Sequence, residues 1–242
     1  MDSLAAEAAT LAQAATVPPP APPTTPPTTP PVTPPTTPPV TPPVTPSTPP
    51  QVPVQFTDIS GHWAKSSIET FVSLGITKGY PDSTFRPDNL ITRAEFVKMI
   101  VMAARLPATP LNPGETGTFS DVPVTHWVSP YLEAAVDHGL VKPSEYAGGQ
   151  FGPGVNITRE EMAVMIVRAL GLDAMAYMAQ FIPLPFADTG DITSWRRGYL
   201  TMAWTGKIMG GYPDNTIKPT ANAKRAEAVV MITRMLSQAP SR

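Results

Sequence analysis

The stretch LITRAEFVKMI, Leu90 to Ile100, opens with polar residues and runs on through Phe96, Val97 and Ile100. Apolar positions so spaced are the period of a helix with one buried face. Thr92 and Glu95 stand three apart, the capping-box arrangement in which the threonine side chain accepts an amide hydrogen bond and the glutamate reaches back. The helix therefore starts at Arg93, and arginine has the wrong charge for that place. Aligned peptide dipoles put about half a positive charge at a helix N-terminus, so a cation there needs an anion beside it. Yet the placement recurs. NITREEMAVMI sets Arg159 ahead of a similar run and AKRAEAVVMI sets Arg225, so positions 93, 159 and 225 follow one another at 66 residues.

Outward from these helices the same order of residues appears three times. Each copy begins with Phe-x-Asp, at Phe56, Phe119 and Phe186, and a tryptophan follows at Trp63, Trp127 or Trp195. Five residues later come Ile68, Leu132 and Leu200, then Phe71/Val72, Ala135/Val136 and Ala203/Trp204. That i, i+3, i+4 spacing predicts a first amphipathic helix of about three turns in each copy. Turn-rich loops follow, GYPDSTFRPDN in the first copy and GYPDNTIKPTAN in the third; the second has KPSEYAGGQFGPGVN. The second helices align at Phe96, Met162 and Ala228, at Val97, Ala163 and Val229, and at Ile100, Ile166 and Ile232. Two helices cannot close a core alone, but three such units together can. The expected fold is all-α, with helix-loop-helix repeats over residues 54–107, 117–172 and 184–237.

These copies resemble the S-layer homology domain family, through Phe-x-Asp, the tryptophan, GITKGYPDSTFRP and ITRAE, over about three quarters of the chain. The resemblance implies one pseudo-threefold helical module, non-catalytic and extracytoplasmic. It also implies anchoring of surface proteins to secondary cell-wall polymers, commonly by recognition of a ketal-linked pyruvate on N-acetylmannosamine.

The rest of the sequence bounds the reading. Most of the 33 prolines fall in residues 17–53, a Pro/Thr-rich stretch read as a disordered, polyproline II linker that would span on the order of 100 Å fully extended. Residues 1–16 form a short Ala-rich segment without the basic and apolar regions of a secretory signal. It fits the start of a processed protein, an expression start or the tail of a further domain of a larger surface protein. No run approaches the ~18 apolar residues of a membrane span. A net charge of −2 without a basic run speaks against nucleic acid. With no cysteine the chain has neither disulfides nor thiolate chemistry.

Capping accounts for Thr92 with Glu95 and Thr158 with Glu161, but not for Arg93, Arg159 and Arg225. One reading pairs these arginines with Asp58, Asp121 and Asp188 as ion pairs that lock the repeats. The other has each guanidinium, oriented by its aspartate, share a groove with free amides at the helix start and meet a ligand carboxylate. The two are compatible. Trp63, Trp127 and Trp195 read either as core anchors or as accessible faces for a sugar ring. Gly79 and Gly211, each 14 residues before its arginine, read as turn formers or as places where a sugar approaches the backbone. His62 and His126 read as polar helix-start positions, and no residue set has metal-ligand spacing.

The units are unequal. The first matches the family pattern best, which places Arg93 in the expected working site; the second has the altered loop, and the third has Lys224 where the threonine cap belongs. The leading expectation is a non-enzymatic module, without cofactor, that binds a cell-wall polysaccharide bearing acidic ketal groups. A structural or protein-docking module whose arginines only lock the repeats is the alternative. A wall-glycan hydrolase ranks last, because the recurring carboxylates already have structural explanations.

Overall fold

The computed structural model describes residues 55–238. The N-terminal segment 1–16 and the linker 17–53 lie outside the described residues.

Seven α-helices follow in order: α1 (Lys65–Ser73), α2 (Arg93–Ala103), α3 (Ser129–Asp137), α4 (Arg159–Ala169), α5 (Asp173–Ala179), α6 (Arg197–Thr205) and α7 (Arg225–Leu236). The first helices of the units, α1, α3 and α6, are nine residues each, nearer two and a half turns than three at ~3.6 residues per turn. Gly75 and Gly139 end α1 and α3 in the left-handed region, at φ +72° and +70°, where a residue without Cβ is least strained. The second helices α2, α4 and α7 begin at the three arginines, and their nine aligned apolar positions are fully buried.

The helices interlock across unit boundaries. α2, α4 and α7 pack against one another, while α3 covers α2, α6 covers α4 and α1 covers α7. Each first helix thus shields the second helix of the preceding unit, and the last unit is covered by the first. A hydrogen-bonded ring closes the arrangement at its centre. Ile91 N donates to Ala223 O (3.1 Å), Ala223 N to Ile157 O (2.9 Å) and Ile157 N to Ile91 O (3.0 Å), with all three side chains buried. Only isolated bridges of extended backbone result, Leu90 with Lys224, Thr92 with Asn156 and Thr158 with Asn222. The fold is all-α and pseudo-threefold.

α5 was not foreseen. It lies between the second and third expected repeats and packs on α6. Gly198 makes that contact feasible, because a Cβ there would fall 1.7 Å from the Ala176 carbonyl oxygen. No helix among the described residues is long and apolar enough to cross a membrane.

Candidate functional site

The aspartates and arginines act on the same loop residues but not on each other. Asp58 accepts hydrogen bonds from Phe85 N (2.8 Å) and Arg86 N (2.7 Å), Asp121 from Phe151 N (2.8 Å) and Gly152 N (2.7 Å), and Asp188 from Ile217 N (2.9 Å) and Lys218 N (2.7 Å). The second residue of each pair is in the left-handed region, including the non-glycine Arg86 (φ +58°) and Lys218 (φ +49°). Each carboxylate therefore clamps two successive amides and offsets the cost of that conformation, about 1–2 kcal/mol for a residue with a Cβ. With both oxygens so engaged, no Arg–Asp pair of the expected kind forms, and that expectation is corrected.

The arginine instead crosses to the next unit. Arg93 donates to Phe151 O (2.9 Å) and to Glu161 (2.7 Å). Arg159 donates to Ile217 O (2.9 Å), Gly210 O (2.8 Å) and Glu227 (2.6 Å). Arg225 donates to Phe85 O (3.2 Å) and Glu95 (3.2 Å). The anion each helix start lacked is thus the capping glutamate of the following unit. Every such glutamate divides its oxygens: one accepts from its own N-cap amide, Thr92, Thr158 or Lys224, and the other from the neighbour's arginine. The third unit keeps only this half of the capping box, since an ammonium has no lone pair to offer Glu227 N; the Lys224 amine pairs with Asp88 at 2.8 Å.

The helix-start amides are not free either. Arg93 N and Ala94 N donate to Val155 O and Pro153 O, Arg159 N and Glu160 N to Ala221 O and Pro219 O, and Arg225 N and Ala226 N to Asn89 O and Pro87 O, at 2.8–3.2 Å. A ligand finds no orphan donors there, so the dipole-and-amide arrangement expected from sequence is also corrected.

The tryptophans are not core anchors. Trp63, Trp127 and Trp195 are 64%, 50% and 41% exposed. Each stands at the start of a first helix and overhangs the preceding unit's second helix, making one wall of a groove. His62 and His126 support the turns beside them, their Nδ1 atoms accepting from Ala64 N (3.1 Å) and Val128 N (3.2 Å).

Two grooves are open. One, about 360 Å³, lies between the first unit's Gly79, Tyr80, Glu95, Lys98 and Met102 and the second unit's Trp127, with Arg225 at its back. Another, about 220 Å³, brings Gly211, Tyr212, Glu227 and Arg234 of the third unit against Trp63 of the first, with Arg159 behind. In both, the buried arginine sits over the tyrosine ring, Arg225 at 5.1 Å from Tyr80 and Arg159 at 4.7 Å from Tyr212. The glycines make room for this. A Cβ on Gly79 would fall 2.2 Å from the Phe56 ring and one on Gly211 would fall 2.1 Å from Phe186. Only Gly79 of the two also needs a positive φ, +72°.

The third groove in the series retains about 10 Å³ and is lined by Glu145, Tyr146, Glu161, Arg168, Trp195 and Arg196. Arg93 belongs to this closed groove, bonded to Glu161 and 5.6 Å from the Tyr146 ring. The expectation that Arg93 marks the best working site is corrected: the arginine serves the unit after its own, and that unit carries the altered loop. Sequence reading also missed Lys98 and Arg234, cations on the exposed sides of the open grooves without a carboxylate partner among the described residues.

Asp173 anchors the closed groove from below. It accepts from Tyr199 Oη (2.5 Å), Arg168 Nε (3.0 Å) and Lys142 Nζ (2.9 Å). Burial pushes its pKa up, but these three donors outweigh burial and hold it at about 2, below the ordinary 3.8. A depressed carboxylate stabilises the fold above its unfolded pKa, and the contribution is lost as pH falls through the folded value. Thermal unfolding should therefore show the gap between wild type and Asp173→Asn shrinking from pH 5 to pH 2; a gap constant over that range would refute the assignment.

Comparison with known proteins follows the same three units. The model of the S-layer homology domain matches residues 55–97, 118–163 and 185–229. An amylopullulanase of Thermoanaerobacterium thermosulfurigenes is 33% identical over 76% of this chain and 10% of its own length. Exoglucanase XynX of Acetivibrio thermocellus is 32% identical over 76% of this chain and 16% of its own. A cellulosome-anchoring protein of Acetivibrio thermocellus is 31% identical over 67% of this chain and 36% of its own. The chain thus spans a minor part of each of these relatives.

Proposed function

Since this chain belongs to the S-layer homology domain family, we propose that it is the non-covalent anchor of a cell-surface protein and that its open grooves hold an acidic, pyruvylated polysaccharide of the cell wall. Its place is outside the cytoplasm at the wall, in keeping with relatives named as cell surface glycoprotein, surface layer protein and middle cell wall protein. The enzymes among its relatives share only a minor part of their length with it, which supports an anchoring rather than a catalytic role.

The observation that carries the reading is that each open groove sets an exposed indole opposite a cation with no carboxylate of its own. Trp127 faces Lys98, 5.8 Å from the ring, and Trp63 shares its groove with Arg234. An indole face packs against the apolar face of a sugar ring, and a guanidinium or ammonium receives an acid group as a charge-assisted hydrogen bond. Arg159 and Arg225 sit behind, already neutralised by Glu227 and Glu95, and shape the groove floor. That the arginines lock neighbouring units therefore does not compete with binding, because the ligand's partners are different cations.

Co-sedimentation of the full chain with sacculi bearing a pyruvylated secondary polymer tests this, against the same sacculi stripped of ketal groups by mild acid. The chain should pellet with the intact wall and stay in the supernatant with the stripped one. Equal pelleting with both, or with neither, overturns the reading.

A further inference from the structure

The closed groove is filled by the chain's own copies of both contacts that a ligand would make. Tyr80, Tyr146 and Tyr212 each stand 13 residues before their unit's arginine, so they share a register, and the residues just before them are Gly79, Glu145 and Gly211. Where the open grooves have no side chain the second has a carboxylate. The altered loop, two short 3₁₀ turns at Pro143–Glu145 and Ala147–Gly149, rebuilds the backbone so that a side chain fits.

That carboxylate forms a two-pronged pair with Arg168, at 2.9 Å from NH1 and 2.5 Å from NH2. Arg168 is the tenth residue of α4; the tenth residues of α2 and α7 are Met102 and Arg234. The third unit therefore presents the same arginine with no acid on it, its one hydrogen bond among the described residues running from NH1 to Ile208 O at 3.2 Å. The indole is covered as well. Arg196 follows Trp195 where Ala64 and Val128 follow the other tryptophans. Its guanidinium lies 4.9 Å from the Trp195 ring, held by Glu160 at 2.8 Å.

Resting on the anchoring reading above, we propose that Glu145 is a built-in plug whose carboxylate occupies on Arg168 the place that a ligand carboxylate takes on Arg234, so that this chain binds through two grooves and holds a third in reserve. The ligand chemistry of the Arg234 groove is thereby a sugar-borne carboxylate, recognised by a two-pronged guanidinium contact.

The indole N–H signals report each groove separately: Trp127 the first, Trp195 the second and Trp63 the third. With the methyl glycoside of 4,6-pyruvylated N-acetylmannosamine as probe, two-dimensional ¹H–¹⁵N spectra of wild type should show Trp63 and Trp127 shifting and Trp195 unmoved. Glu145→Gly should add a Trp195 shift, Glu145→Gln should not, and Arg234→Ala should remove the Trp63 shift alone. A folded Glu145→Gly whose Trp195 ignores the probe overturns the proposal, as does an Arg234→Ala whose Trp63 still responds. Arg234 is exposed, so its variant decides the matter even where Glu145→Gly fails to fold. If wild type ignores the glycoside altogether, the anchoring reading fails, and sodium acetate becomes the probe. Acetate moving Trp195 in Glu145→Gly but not in wild type then upholds the plug as an acid site, and no response rejects it.

Discussion

Arg159→Ala is expected to lower the unfolding free energy by about 3–5 kcal/mol, the range for removing one partner of a buried ion pair. The side chain is only 6% exposed and its partner Glu227 15%. Its guanidinium also serves Ile217 O and Gly210 O, which lose their donor with it. Glu227 keeps Lys224 N and Tyr212 Oη, but its charge is left in a poorly solvated place. The position in the ring magnifies the effect. α4 and α7 are joined by the central hydrogen bonds and by this arginine, and no unit closes its core without a neighbour. Arg93→Ala should cost less, because Arg93 is 21% exposed, its Nε is unpartnered, and Glu161 retains Arg196 at 3.7 Å. Urea midpoints at unchanged slope measure both. A loss under about 1 kcal/mol for Arg159→Ala would mean that the ring is held by apolar packing alone. The same reasoning governs binding experiments: an arginine variant that no longer pellets with wall has to be shown folded before the loss says anything about a ligand.

The repeat, the helices and the buried faces were legible in the sequence because periodicity reports local geometry, and each unit's helices obey it. Partner choice was not legible. Asp58 and Glu95 recur at the same interval as Arg93, so spacing alone gives either the same claim on the guanidinium. Closing the ring shifts the true partner by one unit, from Arg93 to Glu161 and from Arg225 back to Glu95. Tryptophan exposure was equally hidden, since the overhang that leaves Trp127 in solvent depends on α3 lying over α2 and not over its own unit's second helix. Glu145 escaped notice because the second loop has no Gly-Tyr-Pro-Asp to align. Counting back from Arg159, as was done for Gly79 and Gly211, would have found it. α5 had no counterpart in the other units and no cap to announce it.

Removing the indoles separates binding from folding in a way the arginines cannot. The double variant Trp63→Ala, Trp127→Ala should lose on the order of a hundredfold or more in apparent affinity for pyruvylated sacculi, with unfolding free energy within about 0.5 kcal/mol of wild type, as for exposed positions that brace nothing. A tryptophan at the centre of a contact is worth about 2 kcal/mol or more on truncation, roughly 30-fold at its own groove. Two grooves on one polymer multiply, because the second contact forms at the effective concentration set by the first. Each single variant should therefore retain measurable pelleting. Trp195→Ala supplies the contrast. Its ring is already covered by Arg196 beside a groove filled by Glu145, so wall binding should stay within about twofold of wild type, well short of the ~30-fold a working indole carries. Sedimentation isotherms for the four proteins decide the matter. Loss of pelleting in Trp195→Ala equal to that in the other single variants would show that all three tryptophans face the polymer alike, and the unequal grooves would then have no bearing on anchoring.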